Sequence, residues 1–379
     1  MAEVKRGLDD IVVADTRTSL VDGTAGRLVY GGYEIEDLAE NALFEEVVYL
    51  LWHGRLPNAA ELEELRAAIA REAALDDGII DLLQRFPKDA DPMAMLEAAT
   101  AALAFYDNES EDLSLEAARR KAIRLTGKIT SVCAAWDRIR KGNAPVAPRA
   151  DLNLAQNFVY MLTGEGPDQT ASDAINVYLV LLAEHGMNAS TFTARVVSAT
   201  GADMHSAVVA AIAALKGPSH GGANAAAMKM FLEIKDPASV QQWFEENIKS
   251  GKRRIMGIGH RVYKTLDPRA DILRRHARAL AQSSGNTKWF EIADKLANIA
   301  LADDYFIERK LYPNVDYFSA IVLYTLDLDV DMFTPLFAMS RIAGWSAHII
   351  EQMENNCLIR PGSNYVGPMD LKWNPPSER

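Results

Sequence analysis

The chain has 379 residues, 49% hydrophobic and 24% charged, which excludes wholesale disorder and allows a large core without disulfides or metal. At ~100–200 residues per domain, that length fits two or three domains, or one large helical body with an insertion. A net charge of −12 argues against a nucleic-acid partner, because displacing condensed counterions takes Lys and Arg, although a local arginine cluster can still hold a small anion.

The two cysteines, Cys133 and Cys357, make neither a disulfide framework nor a CxxC pair, as expected in a reducing compartment. The opening segment is charged throughout and lacks an apolar signal region. No apolar run approaches the ~18 residues of a membrane span. The expectation is a cytoplasmic protein with no membrane contact.

The clear β signal lies in the first thirty residues, where 11–13 and 28–30 flank a stretch containing Asp22-Gly23, predicting a small hairpin. Helical periodicity takes over after Gly31-Gly32. Asn41 is the expected N-cap of a helix over 44–53 ended by Gly54, and Asn58 that of a helix over 59–74. Pro87 and Pro92 punctuate the chain. Ser114 opens a long helix to about Lys141, which Gly142 and PVAPR end. Further helices are expected at 152–163, 170–184, 190–200, 204–216, 222–234, 238–249, 269–283, 286–301, 315–326 and 336–355. Two of these, 170–184 and 204–216, are apolar almost all round, as in a core or subunit interface. Strands do not alternate with helices, so the fold class is all-α with a small N-terminal β ribbon.

Of the seven histidines, His53, His205, His276 and His348 have structural readings, as helix-end, helical-face or solvated side chains. The other three sit in glycine-flanked joints: EHG at His185, SHGG at His220 and GIGH at His260. Glycine there allows close approach of a ligand to the backbone. Arg261, Arg269, Arg341 and Arg360 are candidate anion holders, since guanidinium pairs bidentately with carboxylate. Asp316, among Tyr, Pro, Val and Phe at a helix start, is a candidate base for a carbon acid. Burial there raises its pKa and the helix terminus lowers it. The stretch 217–221 fits the G-x-S-x-G nucleophile elbow at Ser219, with Asp316 and His348 following in hydrolase order, but a helix precedes it where the elbow needs a strand. No metal motif appears, and no metal is expected.

GPSHGGAN at 217–224, MGIGHRVYKTLDPRA at 256–270, YPNVD at 312–316 and SRIAGW at 340–345 together resemble the citrate synthase family. AEHGMNASTFTAR at 183–195, LIRPGSNYVG at 358–367 and the opening LVDGTAGRLVYGGYEIEDLA extend the likeness over nearly the whole chain. The resemblance implies an all-α, two-domain fold: a large domain from 1–220 and 326–379, and a small domain over 221–325 whose closure makes the site. It implies an acyltransferase that condenses acetyl-CoA with oxaloacetate and water, giving citrate and CoA, with no cofactor. Asp316 would take the methyl proton, His220 would hold the thioester oxygen, and His260 would polarise the ketone. His185, Arg269, Arg341 and Arg360 would hold oxaloacetate and citrate, with Arg360 supplied by the partner of a homodimer. Arg254, Ile255, Met256, Gly257, Ile258, Gly259 and Asn314 would contact CoA. The helix that follows His220 is expected to keep its imidazole neutral. Gly362 and Ala225 stand where many relatives carry a basic residue and Glu. A 2-methylcitrate synthase using propionyl-CoA is the alternative on the same scaffold.

Overall fold

The computed structural model describes residues 4–8 and 11–378. Its architecture is helical, with a three-stranded antiparallel sheet near the N-terminus in the order β1 (Ser19–Asp22), β2 (Arg27–Tyr30) and β3 (Tyr33–Glu34). Tyr30 pairs with Ser19 and Leu28 with Val21. The partner of 27–30 is therefore 19–22, and the expected strand at 11–13 does not form. Ile11, Val12 and Val13 are exposed and unpaired, and the nearer segment closes the shorter loop at lower entropic cost.

Short polar side chains start most helices as expected. Asn58 accepts from the Glu61 amide and Glu61 answers at the Asn58 amide, a reciprocal cap on Ala59–Glu72. Ser114 caps Leu115–Arg140, Asn153 caps Leu154–Thr163, and Asn188 caps Ala189–Ser198. Asn41 is a correction: it ends a preceding helix, Ile35–Asn41, and Leu43 is the N-cap residue of Phe44–His53. The free amide of Phe44 is met by Asn176 Oδ1 from across the fold, a tertiary contact invisible to local pattern. Gly54, at φ 73, ends that helix as expected. Asp91 and Pro92 open Pro92–Leu103, so this proline punctuates the chain by starting a helix.

The site is carried by a few central elements. Gln169–Leu182 and Phe333–Glu354 are buried nearly all round. The β ribbon braces two loops at once: Tyr30 donates to the Glu184 carbonyl (2.6 Å), and Gly23 at the hairpin tip accepts from the Lys264 amide (2.8 Å). A Cβ at Gly23 would lie 2.2 Å from the Val262 carbonyl oxygen, so only glycine allows this approach. No helix of the described residues is long and apolar enough to cross a membrane.

Candidate active site

Two of the three glycine-flanked histidines meet directly. His185, just past Gln169–Leu182, and His260 stand with ring centroids 5.5 Å apart, and Tyr263 packs against both. Tyr263 Oη lies 3.2 Å from His185 Nε2. The amides of Val262 and Tyr263 donate to His260 Nδ1 at 3.0 and 3.2 Å. Backbone N–H groups can only donate, so Nδ1 bears the lone pair and Nε2–H is left for a ligand. Burial pushes His260 down to about 4, with Arg269 adding to the effect. His185 is pushed below the ordinary range by burial, and by Arg269 and Arg341. Both rings are neutral near pH 7.

His220 is held the opposite way round. Its Nε2 accepts from the Ser190 amide (3.3 Å) and lies 2.8 Å from Ser190 Oγ, which takes a hydrogen bond from the Trp345 indole (3.0 Å). Nδ1 therefore carries the proton. Burial lowers His220 to about 4, and Arg341 contributes. The helix terminus that meets the ring is that of Ala189–Ser198, not the helix that follows His220 as expected. The orienting amide is contributed by the fold, thirty residues away in sequence.

Arg269 and Arg341 are both buried. Arg269 is paired with Asp267 through Nε and a terminal nitrogen, each at 2.9 Å, and its guanidinium lies 5.7 Å from the Tyr263 ring centre. Arg341 donates from Nε to the Leu182 carbonyl (2.7 Å) and stacks on Phe337, leaving its terminal nitrogens without a hydrogen-bond partner among the described residues. Arg360 stands apart, exposed on the extended chain beyond Phe333–Glu354.

Asp316 sits in the first turn of Val315–Thr325, capped by Asn314. Its carboxylate has no hydrogen-bond partner among the described residues. Burial raises it to about 6, more than Arg269 and Arg341 lower it. Beside it lies the loop 254–259. Gly257 accepts from the Asn314 amide (2.9 Å), and the Gly259 amide donates to the Tyr312 carbonyl (2.8 Å). Ile258 and Pro313 form an isolated bridge. The Asn314 side chain is committed internally, donating to the Gly259 carbonyl (2.8 Å) and accepting from the Asp316 amide (3.0 Å). In this loop Ile255 and Gly257 are buried, while Arg254 and Met256 are exposed.

The hydrolase arrangement is not assembled. His348 is fully buried against Thr18, Glu184 and Arg195, while Ser219 is exposed in a turn. Sequence reasoning passed over Ser190, Tyr263, Asp267 and Glu184. Tyr263 lies three residues from His260 in an irregular segment and Asp267 is a helix N-cap, and neither signal is distinctive.

An unpartnered carboxylate of raised pKa can take a proton from a weak carbon acid, and a neutral imidazole N–H can hold a developing oxyanion. Buried arginines with free N–H groups suit carboxylates. Residues 7–362 match the family model described as "Citrate synthase, C-terminal domain". Citrate synthase 2 of Bacillus subtilis is 46% identical over 99% of both chains. 2-Methylcitrate synthase 2 of Corynebacterium glutamicum is 40% identical, covering 96% of this chain and 95% of its own. The solved citrate synthase of Thermoplasma acidophilum, a ternary complex with carboxymethyl coenzyme A and oxaloacetate, superposes with a TM-score of 0.93 at 38% identity, covering 100% of both chains.

Proposed function

The chain belongs to the citrate synthase family, and from that premise we propose that these residues condense acetyl-CoA with oxaloacetate and water to give citrate and CoA. The observation that carries the reading is the Asp316 carboxylate, raised to about 6 and without a hydrogen-bond partner among the described residues; it shares the influence of Arg341 with His220, whose Nδ1–H has no partner among those residues either. Asp316 takes a proton from the thioester methyl while His220 Nδ1–H holds the oxygen that becomes the enol or enolate. A neutral ring can do this without burying a second charge. His260 Nε2–H polarises the oxaloacetate ketone and protonates it as the carbon–carbon bond closes. Hydrolysis of the citryl-CoA thioester then releases CoA, and no cofactor takes part.

Arg341, Arg269 and His185 hold the oxaloacetate carboxylates. Arg360, exposed on its own protomer, completes the site of the partner in a homodimer. Ala98 and Ala101 on Pro92–Leu103 and Ala213 on Met204–Lys216 are exposed on two helices packed together, and small apolar side chains suit a close helix–helix interface. The loop 254–259 contacts CoA mainly through backbone, with Asn314 holding it in place. Residues 221–325 form the small domain whose closure over the remainder excludes water until citryl-CoA has formed. The protein works in the cytoplasm.

The pH dependence tests the assignment of the base. With both catalytic histidines near 4 and Asp316 near 6, kcat/KM is expected to fall tenfold per unit below pH 6 with a single ionisation. Asp316→Asn is expected to lower kcat by about 10²–10⁴. A variant that keeps parental kcat contradicts the assignment. The relationship to a 2-methylcitrate synthase supports propionyl-CoA as a second thioester, since one methylene shifts preference by only about 1–3 kcal/mol.

A further inference from the structure

Across Gly344 from Arg341 lies a fully buried carboxylate with no place in the chemistry above. Glu184 precedes His185, and its Oε1 accepts from Ser19 Oγ (2.9 Å) and faces His348 Nε2 (3.1 Å). His348 is itself fully buried, and its Nδ1 lies 3.1 Å from a terminal nitrogen of Arg195. An arginine N–H can only donate, so Nδ1 is the acceptor and the ring's proton is on Nε2, directed at Glu184. Thr18 Oγ1 sits 3.0 Å from the same nitrogen. Arg195 is held in turn by Glu351 (2.7 Å) and Gln352 (3.1 Å). This chain of contacts leaves little freedom at Glu184.

The other oxygen, Oε2, is buried without a hydrogen bond. It flanks Gly344, where a Cβ would lie 2.3 Å from it and 3.4 Å from Arg341 Cδ. Glu184 and Arg341 are thus neighbours across one glycine, yet they form no ion pair within 4.0 Å among the described residues. Burial disfavours both charges, and each favours the other.

We propose that Glu184 is a positioning residue, held by His348 and Ser19 just short of Arg341, so that it offsets the buried cation while leaving the guanidinium N–H groups open to the substrate carboxylate. This rests on the reading of Arg341 as a carboxylate holder. Two consequences of opposite sign follow. Glu184→Gln keeps the oxygen facing Ser19 and His348 but removes the charge. Arg341 then keeps only the weaker countercharge of Asp316 until oxaloacetate supplies another, and oxaloacetate binds about fivefold tighter. Tighter holding of the polyanionic product lowers kcat together with KM. His348→Gln keeps the charge but removes the ring that restrains it. Glu184 can then turn onto Arg341 and compete with substrate, and oxaloacetate binds about fivefold weaker.

The test is calorimetric titration of the dimer with oxaloacetate alone, with kcat and KM measured in parallel, for both variants and for Arg341→Gln. The expected result is tighter binding with a lower kcat in Glu184→Gln, and weaker binding in His348→Gln. A merely structural role weakens binding in both, and that outcome overturns the proposal. If Glu184→Gln does not fold, unchanged affinity in His348→Gln overturns it on its own. Arg341→Gln separates the premise from the inference. Parental oxaloacetate affinity in that variant overturns the reading of Arg341 and the proposal with it. A large loss there, without opposite signs in the other two, overturns the proposal alone.

Discussion

Asp316 is strained in a way that has a stability signature as well as a kinetic one. Its pKa of about 6 in the fold exceeds the ~3.9 of an unfolded aspartate. Between those values the folded state binds the extra proton. The group therefore contributes stability below about pH 4 and loses it as the pH rises through 6. Asp316→Asn is accordingly expected to melt higher than the parent at pH 8, by about 1–2 kcal/mol after allowing for partial exposure, and the difference should vanish near pH 4. Differential scanning calorimetry at the two pH values checks this, and a variant that melts lower at pH 8 contradicts it. The residue types at this site were legible from sequence because they sit in unusual company, a histidine between glycines or an aspartate among aromatics. The tautomers were not. They depend on the Ser190 amide for His220 and the Val262 and Tyr263 amides for His260, donors whose directions exist only once helices and turns have formed.

Helix boundaries between 115 and 216 were readable within a few residues because Ser, Asn and Asp caps announce them, whereas the short helix Asp304–Glu308 was missed. Where the cap came from elsewhere in the fold, as Asn176 does for Phe44, local pattern assigned the wrong residue. The strand at 11–13 failed for a related reason: β-branched composition states a preference, and pairing depends on which neighbour closes first. The loop 254–259 shows an element whose shape glycine alone permits. Gly257 has φ +79, and a Cβ there would lie 2.9 Å from Tyr317 Cα. Gly257→Ala is expected to push the loop off Val315–Thr325, raising the thioester KM by about tenfold while oxaloacetate binding stays within twofold. Isothermal titration with each substrate separates the two. Equal losses for both ligands contradict a loop that serves CoA.

At the scale of the whole molecule, the exposed position of Arg360 decides whether one protomer is sufficient. Phe333–Glu354 ends well before it, and the chain beyond is extended, with Leu358, Tyr365, Val366 and Trp373 largely exposed. If Arg360 completes the partner's site, a hybrid of an Asp316→Asn protomer with an Arg360→Ala protomer contains one intact site. Co-refolding the two inactive variants is expected to recover at least a tenth of the parental activity, and no recovery places Arg360 in its own protomer's site. The all-α architecture was legible from periodicity across the chain. The packing that joins joints near 185, 220, 260 and 316 was legible only through family resemblance, because nothing local brings those segments together. The central claim is enolisation of a thioester next to bound oxaloacetate, and initial-rate thiol release tests it most directly. Purified protein mixed with acetyl-CoA and oxaloacetate is expected to release CoA rapidly, faster than with propionyl-CoA, and to release none when oxaloacetate is omitted. Release that does not depend on oxaloacetate, or no release with either thioester, contradicts it.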